Sequence, residues 1–388
     1  MNNVSFRLNT TSLISLNFIV WGIVSFLYSL HFSDLLAKVD SSKVYLVGIS
    51  VPIVFLFGFF IAHLFITQSF NIKTSKLLDV NLNNLKRRTL FLTIIFFGLS
   101  LFEFFYSGYI PLLSMLQGSN ISHFEFGIGS LHGLVMSLGS LLFTSWFFVY
   151  YIKRNKSALF WMACILLFFA LMVTRKMMVV ALLQSVLLVF FLRKNNKVVF
   201  KFVFFGFLFL IIFGVIGDIR TGRELFLSLS NFNVKYPDWL PTGFGWIYIY
   251  ITTPIANLVN AIEMNQALTY DFSFLQGLFP SIIRELFFVV DTNAFDNRWQ
   301  VSEAFNVATG FISIYTSFGL IGCIIFNFIL GVVYKILIAK TNTLKYFLIL
   351  IIFSNLTLLL LFSNNFFNLN TVSQLFFAYI LFTQLKIT

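Results

Sequence analysis

The feature that most constrains this chain is a series of apolar runs close to the length of a membrane span. A transmembrane helix needs about 20 mostly apolar residues to cross a hydrocarbon core of about 30 Å. Ten runs meet or approach this length: 12–30, 44–67, 89–107, 128–151, 157–174, 177–192, 198–217, 309–334, 344–362 and 372–385. Of the 388 residues 59% are hydrophobic and 10% are charged, which is too apolar for a soluble domain. We therefore predict an all-α polytopic membrane protein with about ten transmembrane helices, forming one membrane domain over residues 1–388.

The basic residues predict the orientation of these helices. With the N-terminus inside, the cytoplasmic segments are 1–11, 68–88, 152–156, 193–201, 335–345 and 386–388. They hold 17 of the 26 Lys and Arg residues but only one of the 14 acids, as the positive-inside rule requires. This predicts a bacterial cytoplasmic (inner) membrane protein with both termini in the cytoplasm. It also makes the lipid bilayer, and not a nucleic acid, the expected partner of a net charge of +12.

The longest non-cytoplasmic stretch, residues 218–304, is predicted to be a large segment facing the periplasm or exterior. It contains an uncharged run, 239–262, interrupted by Pro241 and Pro254. If that run crossed the membrane once, the acid-rich residues 263–304 would face the cytoplasm. We therefore expect a surface or re-entrant helix here.

Arginines on the predicted outer side break the orientation rule. They are Arg175, Arg220, Arg223, Arg284 and Arg298. The planar guanidinium holds a phosphate through two parallel hydrogen bonds and keeps its charge when it is desolvated. We expect the first four to bind a lipid-linked pyrophosphate and Arg298 to contact substrate. The alternative is snorkelling to lipid headgroups, or pairing with an acid such as Glu224 or Glu285.

Three acids are candidates for a catalytic base. Glu103 is the one acid within a predicted span, where a charge costs about 2–3 kcal/mol on insertion scales and marks a functional position. It is either a general base or a structural partner between helices. Asp218 and Glu224 flank two of the outer arginines and either act as the base or position those arginines. His132, in the fourth run, is either a substrate contact or a packing residue.

The remaining motifs exclude several classes of protein. The chain has no P-loop, dinucleotide fingerprint or Gly-x-Ser-x-Gly elbow, whose spacing nucleotide-dependent enzymes and hydrolases require. Its four histidines and two cysteines lack zinc-type spacing. Cys164 and Cys323 lie inside apolar runs and are expected to fill the core. We therefore expect neither a metal nor a cofactor.

Three stretches carry a family resemblance. The first, Glu103 to Leu134, has a glutamate, then Gly-Tyr-Ile-Pro-Leu, then Phe-Gly-Ile-Gly-Ser-Leu-His. The second combines Thr174-Arg175-Lys176 with the segment Gly217 to Arg223, and the third runs from Asn306 to Gly331. From about residue 90 to 335, the order of these motifs resembles that of the O-antigen and oligosaccharide repeat-unit polymerases (Wzy type).

This resemblance implies a GT-C-like membrane glycosyltransferase that acts on oligosaccharides linked to undecaprenyl pyrophosphate. It also implies a chain-length regulator protein as a partner. The residues at matching positions are Glu103, His132, Arg175, Arg220 and Arg223. The related O-antigen ligases use a histidine in their large outer loop, and residues 218–304 contain none. The expected function is polymerisation of surface polysaccharide (O-antigen or capsule) at the outer face of the membrane; the alternatives are an O-antigen ligase and a lipid-linked oligosaccharide flippase or transporter.

Overall fold

The computed structural model describes residues 3–4, 12–66, 80–117, 126–192, 223–237, 239–288, 299–341 and 343–382. Within these ranges the regular structure is almost entirely helical. Thirteen α-helices are present in them: α1 Ser12–Ser29, α2 Ser41–Phe65, α3 Leu82–Ser107, α4 Pro111–Leu116, α5 Leu131–Lys153, α6 Lys156–Leu171, α7 Arg175–Leu192, α8 Arg223–Ser230, α9 Thr242–Glu263, α10 Ser281–Phe287, α11 Ile312–Lys340, α12 Leu344–Leu359 and α13 Leu369–Leu381. Short 3-10 helices cover Leu36–Lys38 and Ser273–Leu278, and Asn3–Val4 (β1) pairs antiparallel with Val80–Asn81 (β2).

Four of these helices, α2, α3, α5 and α11, are long and apolar enough to cross a membrane. Five shorter apolar helices, α1, α6, α7, α12 and α13, accompany them. These nine coincide with nine of the ten predicted runs, and the tenth run, 198–217, lies outside the described residues. The 13 residues of α13 rise only about 20 Å, so helix length does not establish the full number of spans.

The bundle has two distinct ends. At one, which we call the loop end, the connections 30–40 and 360–368 meet the described ranges 223–237 and 299–311. The Asp34 amide donates to the Asn231 carbonyl oxygen (3.0 Å), and the Gly310 amide donates to that of Leu360 (2.6 Å). At the other end, β1 pairs with β2 and Lys153 Nζ donates to Asn83 Oδ1 (2.9 Å). The loop end is the one that the sequence predicts to face outward.

The uncharged run in the outward segment forms α9, which packs against α1 and α2. Pro241 directly precedes the helix, whereas the helix continues through Pro254. The prediction that both prolines interrupt this run is therefore wrong for Pro254. The hydroxyls of Thr252 and Thr253 donate to carbonyls one turn back (both 2.7 Å).

A buried asparagine of α9 fixes the chain that leads into α11. Asn257 Nδ2 donates to the carbonyl oxygens of Phe305 (3.1 Å) and Val307 (2.8 Å), and its Oδ1 accepts from the Val301 amide (2.8 Å). Three hydrogen bonds to backbone satisfy groups that would otherwise be buried without partners. Residues 301–307 are therefore held against α9 at the loop end.

Candidate functional site

The side chains of Glu103 and His132 lie within hydrogen-bonding distance of each other at the loop end. Glu103 lies one turn before the end of α3 and its side chain is fully buried, and His132 is the second residue of α5. Glu103 Oε2 lies 3.1 Å from His132 Nδ1. The sequence predicts the two residues as separate candidates, and the structure brings them together.

The short segment before α5 shapes this pair. Gly127 has a φ of +79°, and its amide donates to Ser107 Oγ (2.8 Å). A Cβ at Gly127 would lie 2.8 Å from Glu103 Oε1 and 3.2 Å from His132 Cβ. The position therefore needs glycine both for its backbone conformation and for space. Phe126, almost completely buried, turns its ring edge-on to the imidazole of His132, with centroids 5.4 Å apart.

The pairing determines which nitrogen of His132 can react. A carboxylate only accepts hydrogen bonds, so Nδ1 carries the proton donated to Glu103 and Nε2 is an acceptor in the neutral ring. The imidazole is 23% exposed, and within the described part of the chain Nε2 has no hydrogen-bond partner. Glu103 Oε1 is also buried without a partner in those ranges. An imidazole that is oriented by a carboxylate through one nitrogen is suited to accept a proton on the other.

The predicted arginines lie apart in the sequence and differ in exposure. Arg175 is the first residue of α7, at the tip of the hairpin with α6. Arg223 begins α8 and is exposed, as is Glu224 beside it. Arg284 in α10 is half-buried, and its Nε has no hydrogen-bond partner in the ranges that are described.

Three candidates, Asp218, Arg220 and Arg298, lie outside the described residues. Among the side chains that are described, Glu224 forms no ion pair with Arg223 or Arg284. The pairing of Arg284 with Glu285 stays a prediction. The structure thus supports a role for the Glu103–His132 pair by geometry, while the arginine cluster rests on sequence.

An apolar groove runs between α2, α9 and α11, with a volume of about 1130 Å³ that includes its open side. Its walls include Val47, Val54 and Ile324. Lys43 lines its end nearest the loops, where Lys43 Nζ lies 3.2 Å from Glu263 Oε1. The sequence gives little sign of this groove because its side chains look like any other lipid-facing surface.

Cys323 lines this groove, and Cys164 is half-buried in α6; both are free thiols. Among the described residues, no three His, Cys, Asp or Glu side chains lie close enough together to hold a metal ion.

Sequence reasoning assigned no role to the residues that support the pair. Ser107, Phe126 and Gly127 lie in the stretch Glu103 to Leu134 that carries the family resemblance, but a hydroxyl and one aromatic among 55 phenylalanines do not by themselves mark a contact. Gly127 was a further signal, because glycine readily adopts a backbone with positive φ.

The architecture is that of an all-α membrane protein with a buried carboxylate–imidazole pair at one end of its helical bundle. No known protein family, curated protein or solved structure that was compared with the chain matches it. The function therefore has to be argued from the site.

Proposed function

We propose that this protein is a polysaccharide polymerase that joins oligosaccharide repeat units carried on undecaprenyl pyrophosphate, at the outer face of the cytoplasmic membrane. The observation that carries the proposal is the Glu103–His132 pair: a fully buried carboxylate that holds an imidazole at the loop end of the bundle. Helix packing alone does not explain such a pair, because burying a carboxylate within a membrane-spanning helix is unfavourable.

In the proposed reaction, His132 is the general base and Glu103 positions it. A hydroxyl of the acceptor repeat unit gives its proton to His132 Nε2 as its oxygen bonds to the anomeric carbon of the donor. The bond between that carbon and the pyrophosphate oxygen breaks, and the electron pair leaves with undecaprenyl pyrophosphate. The donor is already activated, so no nucleotide is consumed. This assignment moves the base from Glu103 itself to its histidine partner.

The leaving pyrophosphate needs cations close to the membrane boundary. Preorganised cations in a site that excludes water stabilise developing negative charge strongly. Arg175, Arg220, Arg223 and Arg284 are assigned this role because all four lie on the predicted outer side; among the described residues, Arg175 and Arg223 each begin a helix. The buried Nε of Arg284 has no hydrogen-bond partner among the described residues, which supports the assignment, since such a donor has capacity for an anion.

The lipid carrier needs an apolar path to the same side. The groove between α2, α9 and α11 supplies one, because it is lined almost wholly by apolar side chains and reaches the loop end at Lys43. An isoprenoid chain would bury its methyl groups there, at about 25 cal/mol for each Å² removed from water.

The experiment that tests the proposal uses a strain whose surface glycan gives a ladder on a gel. The gene is deleted and complemented with wild type, His132→Ala, Glu103→Gln or Arg284→Ala. The matched control is His31→Asn, because His31 is a second histidine at the loop end. Asparagine also tolerates the positive φ of that residue.

We expect wild type and His31→Asn to restore the ladder, and His132→Ala and Glu103→Gln to give single repeat units on the final anchor at equal protein levels. Polymer that accumulates on undecaprenyl pyrophosphate in the deletion strain would instead indicate a ligase. Lipid-linked single units trapped on the cytoplasmic leaflet would indicate a flippase. A full ladder with His132→Ala would remove the histidine from the mechanism.

A further inference from the structure

A small cavity lined by amide side chains opens at the loop end, between the start of α7 and the facing parts of α12 and α13. Its empty volume is about 430 Å³, a figure that includes the open mouth. The polar lining includes Lys176, Asn355, Asn365, Asn368, Asn370 and Gln374. The lining residues include no carboxylate, whereas five of them are primary amides.

Three of these amides have protein partners for part of their capacity. Gln374 and Gln184 exchange two hydrogen bonds of 3.1 Å. Asn368 Oδ1 accepts from the Asn370 amide (3.0 Å), and Asn365 Nδ2 donates to Ser363 Oγ (2.9 Å). These bonds fix the orientations of the side chains before any ligand arrives.

Asn355 differs from them. Its side chain is 1% exposed, and Oδ1 is buried without a hydrogen-bond partner among the described residues. A buried acceptor without a partner destabilises a fold, so its presence in the wall of a cavity points to a donor supplied by a ligand. No sequence motif marked this asparagine, because it lies within an apolar helix.

We infer that this cavity binds one sugar ring of the glycan substrate. Adjacent hydroxyls of a pyranose each donate and accept, and primary amides offer both functions in a planar group. The apolar side chains of Met177, Val180 and Leu356 face the C–H surface of such a ring. Lys176 at the rim adds a positive charge that favours a sugar carrying a carboxylate or an acidic substituent.

The position of the cavity ties it to the Glu103–His132 pair, and in this respect the inference rests on the proposed function. Gly133 follows His132 on α5, and a Cβ there would lie 2.2 Å from Asn370 Oδ1. Asn370 is therefore packed against the first turn of the helix that carries the imidazole. Asn370 thus joins the lining of the cavity to the helix that carries His132.

Saturation-transfer NMR on the full chain in lipid nanodiscs tests the cavity directly. The probes are methyl glycosides of glucose, galactose, N-acetylglucosamine and glucuronic acid, each at millimolar concentration. Methylenediphosphonate, a pyrophosphate analogue that carries C–H protons, is the anionic alternative. The variant is Asn355→Leu, which keeps the volume and removes the amide.

The matched control is Asn17→Leu. Asn17 in α1 is also 1% exposed, and both of its amide atoms lack partners within the described ranges, but it does not line this cavity. We expect at least one glycoside to receive saturation from wild type and Asn17→Leu, and at least a fivefold weaker signal with Asn355→Leu. Equal signals from all three proteins, or transfer to none of the glycosides, would overturn the inference, as would binding of the pyrophosphate analogue alone.

The ladder assay separates the failure of this inference from that of the proposed function. If Asn355→Leu loses glycoside binding while His132→Ala keeps a full ladder, the sugar site stands and the polymerase mechanism falls. If His132→Ala collapses the ladder but Asn355→Leu changes neither binding nor ladder, the mechanism stands and the sugar site falls.

Discussion

The α2–α11 interface and the α3–α5 region differ in what fills the space between their helices. Between α2 and α11, glycines bring two backbones together: a Cβ at Gly331 would lie 2.0 Å from the Phe55 carbonyl oxygen, and one at Gly58 would lie 2.1 Å from that of Phe328. Close backbone approach of this kind is how helices associate where lipid offers no hydrophobic driving force. Between α3 and α5, by contrast, a carboxylate and an imidazole occupy the interior.

The two regions therefore differ in what their buried space can hold. At the two glycines of the α2–α11 contact the backbones meet, so no ligand fits between them, although the open groove beside this contact is lined by other residues of both helices. The α3–α5 region, with the neighbouring α12 and α13, holds buried polar atoms, Glu103 Oε1 and Asn355 Oδ1 among them, that have no hydrogen-bond partner among the described residues. In natural proteins such atoms call for an explanation, for example a catalytic role or a bound ion or water.

The largest loss of stability should come from adding a methyl group at the glycine contact between α2 and α11. Gly331→Ala places a methyl group against the backbone of α2, and we expect a loss at the top of the roughly 1–3 kcal/mol range seen for overpacking. The control is Gly22→Ala, where no atom lies within 4 Å of the added Cβ. Size-exclusion chromatography of heated detergent extracts should show loss of the folded peak for Gly331→Ala alone. Equal behaviour of both variants would mean that the two helices do not meet as described.

A second effect should come from the buried polar network beside the site. Thr144 Oγ1 donates to Gln184 Oε1 (2.8 Å), and Gln184 also pairs with Gln374. Gln184→Leu leaves buried partners unsatisfied, and we expect a loss of about 1–3 kcal/mol. The double variant Gln184→Leu/Gln374→Leu should recover part of that loss in thermal melts, since both amides are gone. Strictly additive losses would contradict the pairing.

A third effect separates stability from activity at the site itself. Gly127 and Gly108 both have positive φ (+79° and +73°), but only Gly127 faces Glu103. Alanine at either position should cost about 1–2 kcal/mol through the left-handed backbone. Only Gly127→Ala should also shorten the glycan ladder, because its methyl group displaces the carboxylate. Shortening by Gly108→Ala to the same extent would attribute the effect to stability alone.

The smallest effect should come from the ion pair at the mouth of the groove. Lys43 is half exposed, and exposed pairs contribute about 0–1 kcal/mol because water screens them. In thermal melts, the melting temperature of Lys43→Ala should therefore lie within about 2 °C of that of wild type, because a free-energy change below about 1 kcal/mol shifts the melting temperature of a large chain only slightly. A larger shift would indicate that this pair, and not helix packing, holds α9 to α2.

Much of the fold was predictable and part of the site was not. Apolar runs predict nine helices that the structure shows, because span length and hydrophobicity are local properties of the sequence. Glu103 was singled out because a charge inside an apolar run is unusual. His132 was a separate candidate, but its contact with Glu103 was not predicted, since the two residues are 29 positions apart and the contact depends on how α3 packs against α5. Asn355 escaped notice for the same reason: an unmet hydrogen bond exists only in three dimensions.

The measurement that tests the central claim most directly is polymerisation by the purified protein in nanodiscs, supplied with a single repeat unit on undecaprenyl pyrophosphate. Products are followed by mass spectrometry, counting glycosidic bonds formed and undecaprenyl pyrophosphate released. The account predicts one release for each new bond, without added nucleotide, and a rate lower by about 10²–10⁴-fold for His132→Ala, as expected for loss of a general base. Wild-type protein that forms no glycosidic bond from this substrate, or a His132→Ala variant with an unchanged rate, would contradict it.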